Sequence, residues 1–180
     1  MNCSGLTCAS SVDAARAVPE GRVPLVSLEG TPCECGRAYA DVVLSRYPGY
    51  TRYLREAPAW RNPSRRVAAL FEKRAPYVLD LYRGVRAGLG RRAAAAREAG
   101  RRREACTSFS IHPALTLDGT PISGQTKDTA MGSALKYLVL RMRLKGAPSL
   151  LVLAYPGEVL GYGMWSTGMT LFRNTLYSRG

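Results

Sequence analysis

Cys106 is the residue with the clearest capacity for chemistry, because two hydroxyl residues, Thr107 and Ser108, follow it at once. A thiolate is a good acyl acceptor, and a cysteine that opens a strand can project its sulfur from a sheet edge. Hydroxyls beside it can hydrogen-bond the reacting groups. The pattern indicates attack on a carbonyl, although a lone cysteine is more often a buried structural thiol.

Two other residue groups carry weaker signals. His112 is the only histidine and stands just before a proline, so we predict a structural or exposed role and no Ser-His-Asp triad. Cys33 and Cys35 are closer together in the chain than the C-x₂-C pairs that usually bind zinc. Neither a metal nor a bound cofactor is therefore expected.

The chain before Cys106 begins with residues 1–22, which lack periodicity and are predicted to be a flexible tail. Residues 22–29 alternate apolar side chains, as in a short strand. Thr31, Pro32 and Glu34 then occupy the N-cap, N1 and N3 positions of a capping box. This box predicts a helix that runs to Tyr47.

A second helical stretch is predicted from about Ser64, where apolar residues recur at helical spacing and Pro76 kinks or splits the helix. Gly84, Gly88 and Gly90 are expected to loosen the chain after it. An alanine- and arginine-rich block, residues 91–104, forms either a helix or a solvated linker. Residues 23–105 are thus predicted to be a mainly helical segment.

From Cys106 onward the pattern becomes that of β-strands, so residues 106–180 are predicted to be β-rich. Asp118-Gly119 is a strong hairpin signal, and a second turn is predicted at residues 146–148. The fold class is therefore α+β, with a helical N-terminal half followed by an antiparallel sheet. The predicted strands are residues 107–111, 120–124, 136–144, 149–155 and 169–175.

Composition limits the remaining function classes. The 180 residues carry a formal net charge of +13, but the excess arginine is scattered or lies in residues 91–104, without a nucleic-acid-binding motif. No apolar run reaches the roughly 20 residues that a membrane helix needs. Five cysteines at irregular spacings, and no signal-like N-terminus, favour reduced thiols and a cytoplasmic location. Neither a nucleic acid nor a membrane is expected as a partner.

An ordered series of motifs resembles a known family. Cys106-Thr107-Ser108-Phe109, Leu117-Asp118-Gly119, and Gly124-Gln125 with Asp128 follow one another as in the cysteine peptidases that include acyl-coenzyme A:6-aminopenicillanate acyltransferase. Upstream, residues 28–36 resemble the family's entry motif, and residues 81–88 resemble a glycine-containing helix end. Downstream, residues 155–176 are similar to a glycine-rich stretch that ends in asparagine. The resemblance covers residues 23–178.

The resemblance implies an αββα N-terminal-nucleophile fold whose precursor cuts itself between Ala105 and Cys106. The freed α-amino group, with a pKa near ~8, would act as the base for the Cys106 thiol. The enzyme would be an amide hydrolase or acyltransferase that acts on a small carboxamide or acyl thioester, and acyl-coenzyme A could be a co-substrate. Thr107 and Ser108 would help by hydrogen bonding, and Asp128 by orienting the amino terminus or polarising nearby groups.

The two products of the cut would stay associated as a heterodimer. The family's catalytic chain continues well past the point matched by Gly180, so residues 106–180 are expected to form an incomplete catalytic chain. Gln125, Asn174 and Trp165 match positions of the family motifs and are candidate pocket residues, although Asn174 could instead be a turn residue at a strand end.

The sequence departs from the family at several of these positions. Ala105 replaces a glycine before the nucleophile, and Thr126-Lys127 replaces an Asn-Trp pair between Gln125 and Asp128. Trp165 replaces an asparagine. Three alternatives therefore stay open. Two are not enzymes: a truncated or degenerate noncatalytic homologue, and a basic binding protein that uses the arginine block. The third is a cysteine hydrolase in which Cys106 stays inside the chain and needs an external base, so that His112 would matter.

Overall fold

The computed structural model describes residues 9–12, 23–47, 65–90, 105–128, 137–159 and 161–174. A short 3₁₀ turn, Pro113–Leu115, lies between the third and fourth strands. The helices are α1 (Pro32–Arg46), α2 (Arg65–Arg74) and α3 (Pro76–Leu89). The strands are β1 (Ala9–Val12), β2 (Leu25–Gly30), β3 (Ala105–Ile111), β4 (Ile122–Asp128), β5 (Leu138–Leu144), β6 (Leu150–Ala154), β7 (Tyr162–Trp165) and β8 (Thr170–Leu171).

The described strands form two sheets. The larger has the order β1-β2-β5-β6-β7-β8, and among the described strands β3 pairs with β4 in a separate hairpin. Strands β5 to β8 form an antiparallel meander that includes the unpredicted β7, whereas β2 and β5 pair in parallel over six residues. The predicted α+β class, with helices followed by an antiparallel-rich sheet, is confirmed.

The segment predicted to be a flexible tail contains a strand. Ala9–Val12 pairs antiparallel with β2, from Ala9 opposite Glu29 to Val12 opposite Val26. An edge strand is held by backbone hydrogen bonds to its neighbour, and these do not require an apolar alternation of its own. Residues 9–12 therefore gave no periodic signal in the sequence.

Helix α1 begins with the predicted capping box. The backbone N–H of Glu34 donates to Thr31 Oγ1 at 3.4 Å, and the Glu34 carboxylate accepts from the Thr31 N–H at 2.8 Å. The Thr31 hydroxyl also donates to this carboxylate, at 2.8 Å. Hydrogen bonds from the Thr31 backbone and then its side chain lower the pKa of Glu34.

We expect Thr31→Ala to lower the free energy of unfolding by about 1 kcal/mol, because the Glu34 N–H loses its acceptor. The Glu34 pKa is lower in the folded than in the unfolded chain, so its contribution is present at neutral pH and is lost as the pH falls through the folded-state pKa. Urea denaturation at neutral and acidic pH measures both effects. Thr31→Ser is the control, since it keeps the hydroxyl; an equal loss in Thr31→Ser would contradict a capping role.

Helices α1 and α3 pack on one face of the large sheet and enclose the hydrophobic core. Alternate residues of β5 and β6 are buried against them, as the strand period requires. Pro76 begins α3 directly after α2 ends at Arg74, so the predicted split is confirmed. The largest side chains that are almost fully buried are Tyr39, Leu28, Leu81, Leu138, Leu140 and Met142.

Three glycines let α1 and α3 approach at backbone contact distance. A Cβ on Gly36 would overlap the carbonyl oxygen of Leu81, and one on Gly84 would overlap that of Cys33. A Cβ on Gly88 would lie 2.7 Å from the Ala40 Cβ. Gly84 and Gly88 were predicted to loosen the chain, and this prediction was wrong: both lie inside α3, where a missing side chain permits close packing.

The cysteines differ from the expectation of reduced thiols throughout. Cys35 and Cys106 are not in disulfides, but Cys33 is disulfide-bonded. Cys33 and Cys35 occupy the first turn of α1, as predicted. Within the described ranges no three His, Cys, Asp or Glu side chains lie close enough together to hold a metal ion. The same ranges contain no helix with the length and apolar character needed to cross a bilayer.

Candidate functional site

Cys106 lies on the β3–β4 hairpin. The two strands pair antiparallel in full register, and Cys106 faces Lys127 across the ladder. The connection between residues 112 and 121 contains the predicted Asp118-Gly119 turn, in which Gly119 adopts a φ of +69°. The Thr120 N–H donates to the Asp118 carboxylate at 3.0 Å and, as the largest cause, lowers its pKa.

Side chains of a strand alternate between its two faces, so the register assigns each hairpin residue to one of them. The face that carries Cys106 is here called the inner face. It consists of Cys106, Ser108, Ser110, Ser123, Gln125 and Lys127. Thr107 and Asp128 belong to the opposite face, where both side chains are exposed to solvent.

A hydrogen-bond network attaches the inner face to Arg173 and Asn174, the last two residues that the structure describes. Gln125 Nε2 donates to Asn174 Oδ1 at 2.7 Å and to the Arg173 carbonyl at 2.9 Å. Its Oε1 accepts from the Arg173 N–H at 3.3 Å. Asn174 Nδ2 in turn donates to Ser108 Oγ at 3.0 Å. The structure thus brings together Ser108, Gln125 and Asn174, three of the residues predicted from the sequence.

A cluster of cations and tyrosines joins the inner face to β7. Lys127 Nζ donates to Tyr162 Oη at 2.7 Å and lies 4.8 Å from the centre of the Tyr162 ring. Arg173 packs on the same ring at 5.0 Å and donates to Glu158 Oε1 at 3.1 Å. Beside them, Tyr137 stacks on Tyr155 with ring centres 4.4 Å apart. Burial is the main cause that raises the Tyr137 pKa.

Tyr39 supports this cluster from the core. Its hydroxyl accepts from the Gly157 N–H at 2.9 Å and contacts the Glu158 carbonyl at 3.0 Å. The side chain is fully buried, and this burial raises its pKa strongly. A neutral phenol therefore fixes the turn at residues 155–158, which carries Tyr155 and Glu158.

A cavity of about 370 Å³ lies between the hairpin and the large sheet. This volume is within the usual range for small-molecule sites, roughly 300–1,000 Å³. Cys106 does not itself line the cavity, but its cross-strand neighbour Lys127 does. The thiol is partly exposed and free. The lining residues are Val23, Gln125, Lys127, Tyr137, Leu153, Tyr162, Gly163 and Phe172.

The remaining predicted residues lie apart from the inner face. Trp165 is almost fully buried in the core and lines a second cavity, of about 670 Å³, rather than the cavity beside the hairpin. Ala105 faces Asp128 in the ladder, so Asp128 lies next to the predicted cleavage point in backbone register. His112 is exposed, and its Nδ1 accepts from the Ala114 N–H at 3.2 Å to cap the 3₁₀ turn.

Sequence reasoning missed the cationic and aromatic members of the site: Lys127, Tyr137, Tyr162 and Arg173. One signal was available, because Lys127 is two residues from Gln125 in a predicted β region and must share its face in a regular strand. Strand β7 was not predicted, so nothing indicated that Tyr162 lies beside the hairpin. The sequence matches no protein-family model and no curated protein.

Proposed function

We propose that the chain carries the nucleophile segment of a cysteine-dependent amide hydrolase or acyltransferase. The observation that carries this proposal is the position of Cys106: a free, partly exposed thiol on the hairpin face that borders the 370 Å³ cavity. A structural thiol would instead be buried, as Cys35 is. The substrate class is a small carboxamide or acyl thioester.

The proposed reaction has two steps. The Cys106 thiolate attacks the carbonyl carbon, and the carbon–nitrogen or carbon–sulfur bond breaks as the departing amine or thiolate takes a proton. The product is a thioester on Cys106. Water or an amine then attacks this thioester, accepts the acyl group, loses a proton and releases the thiol. Ser108, held by Asn174, is on the correct face to hydrogen-bond the reacting groups, whereas Thr107 is not.

The base in this proposal is the α-amino group that self-cleavage before Cys106 would free. Asp128 faces Ala105 across the ladder, so its backbone neighbours the bond that would be cut. Its side chain belongs to the opposite face from the sulfur. Asp128 can therefore assist through the new amino terminus, and direct contact with Sγ is not part of the proposal.

For the fold, we propose an N-terminal-nucleophile arrangement, and the layering of the described residues supports it. Helices α1 and α3 cover one face of the large sheet, and the hairpin lies against the other near Tyr162, which gives the order α, β, β. Strand β2 pairs with β5, so segments from both sides of the proposed cut share one sheet. The two products are expected to remain associated as a heterodimer.

We also propose a cytoplasmic location and no nucleic-acid partner. The Cys33 disulfide weighs against the location, because disulfides are rare in reducing compartments. The noncatalytic and basic-binding alternatives predict no acyl transfer at all, so a covalent test separates them from the enzyme.

The test is to trap the acyl-enzyme. We expect brief incubation of the purified protein with small aryl or alkyl thioesters, followed by acid quench, to add one acyl mass to the peptide that contains Cys106. Intact-mass and peptide-mass spectrometry measure the increase. Cys106→Ala should abolish it, and Ser110→Ala, on the same hairpin face, should leave it unchanged. Labelling of wild type and Cys106→Ala to the same extent would overturn the proposal.

A further inference from the structure

The described residues that line the hairpin cavity combine an apolar body with one positive side chain. Tyr137, Leu153, Tyr162 and Phe172 supply aromatic and aliphatic surface, and Lys127 supplies the charge. None of the eight described residues that line the cavity is acidic. Such a cavity suits a molecule whose apolar part fills the space and whose anionic group meets Lys127.

The ammonium of Lys127 is held in place before any ligand arrives. Its Nζ donates to Tyr162 Oη at 2.7 Å and lies 4.8 Å and 5.7 Å from the ring centres of Tyr162 and Tyr155. Ring faces favour the charged ammonium, since their quadrupole is negative there. A cation fixed in this way loses little side-chain entropy when it binds an anion.

Charged groups of both signs surround the Tyr162 hydroxyl. Lys127 and Arg173 both approach the Tyr162 hydroxyl, at 2.7 Å and 3.4 Å, whereas Glu158 contributes one carboxylate, paired with Arg173 at 3.1 Å. Asp128 follows Lys127 in the chain, but strand alternation puts its side chain on the opposite face.

We propose that Lys127 determines specificity at this site, by selecting amides or thioesters whose apolar portion bears a carboxylate or another compact anion. This inference rests on the proposed function of Cys106. Directly opposed residues in an antiparallel pair have Cα atoms about 4.5–5.5 Å apart, so the sulfur and the ammonium belong to neighbouring positions.

The test measures binding without chemistry, in the full chain carrying Cys106→Ala. Titration calorimetry compares benzoate with benzamide, which have similar shapes but differ in charge. We expect benzoate to bind roughly 10- to 100-fold more tightly, the range typical of a hydrogen bond to a charged group. Adding Lys127→Met should remove the preference, and Lys127→Arg should retain most of it.

Lys145→Met is the matched control, because it removes the same charge from an exposed lysine that lines the other cavity. It should leave the benzoate preference unchanged, and a thermal melt confirms that each variant is folded. Equal affinity for the two probes, no binding of either, or a preference that survives Lys127→Met would overturn the proposal. Acyl trapping at Cys106 in the wild type is scored separately, so failure of the proposed function and failure of the Lys127 assignment are distinguishable.

Discussion

Replacing Cys106 with alanine is expected to leave a single chain of 19.6 kDa, whereas the wild type should separate into two pieces that meet between Ala105 and Cys106. The sulfur is the attacking atom in the proposed self-cleavage: it adds to the Ala105 carbonyl, the peptide nitrogen leaves with a proton, and water hydrolyses the resulting thioester. Without a nucleophile the reaction has no first step. The cleavage rate should fall by at least about 10³-fold.

Intact-mass spectrometry of freshly purified wild type and Cys106→Ala measures this effect, with Ser110→Ala as a matched variant on the same face of β3. Size-exclusion chromatography under native conditions should show the two pieces eluting together, because β2 and β5 remain paired. Ala105→Gly should cut faster than the wild type, since glycine reaches strained backbone conformations more readily.

An uncut wild-type chain would remove self-cleavage from the proposal. If acyl trapping on Cys106 also fails, the noncatalytic reading becomes the better one. If trapping succeeds in the uncut chain, Cys106 is an internal nucleophile that requires a base other than its own amino group. His112 is the histidine to test in that case by alanine substitution.

Gly84→Val is expected to lower the free energy of unfolding by about 3 kcal/mol. Any Cβ at this position overlaps the Cys33 carbonyl oxygen and lies 3.0 Å from the Arg37 backbone nitrogen. Backbone atoms cannot rotate away as a side chain can. The helices must therefore separate, and overpacking of this kind costs 1–3 kcal/mol or more before the lost burial is counted.

Urea denaturation followed by circular dichroism measures the loss. Ala87→Val is the matched control, because Ala87 lies on the exposed side of the same helix and this change costs only the lower helix propensity of valine, about 0.6 kcal/mol. A stability of Gly84→Val within about 1 kcal/mol of that of Ala87→Val would show that α1 and α3 do not need this close contact.

The Gly84→Val substitution is also expected to affect the site beside the hairpin. The α1–α3 layer supports the sheet through Tyr39, whose hydroxyl fixes the turn that carries Tyr155 and Glu158. Separation of the helices is therefore expected to disturb the cluster of cations and tyrosines on the opposite side of the sheet. Loss of benzoate binding in Gly84→Val, with Ala87→Val unaffected, would support this connection.

Features that depend on near neighbours were correctly predicted from the chain alone. The Thr31–Glu34 capping box, the helix break at Pro76 and the Asp118-Gly119 turn all depend on backbone and side-chain groups a few residues apart. The switch from helical to strand periodicity at Cys106 belongs to the same class. It was enough to identify the fold class and to place the candidate nucleophile on a strand.

Features that join distant segments required the tertiary structure. A glycine at position 84 looks the same in the sequence whether it makes the chain flexible or lets another helix pack closely. Only the position of α1 shows that Gly84 permits close packing. Likewise, the sequence could not show that Lys127 lies beside Tyr162, 35 residues away, or that β2 pairs with β5. Such contacts depend on which surfaces are buried together, and local propensity carries no information about that choice.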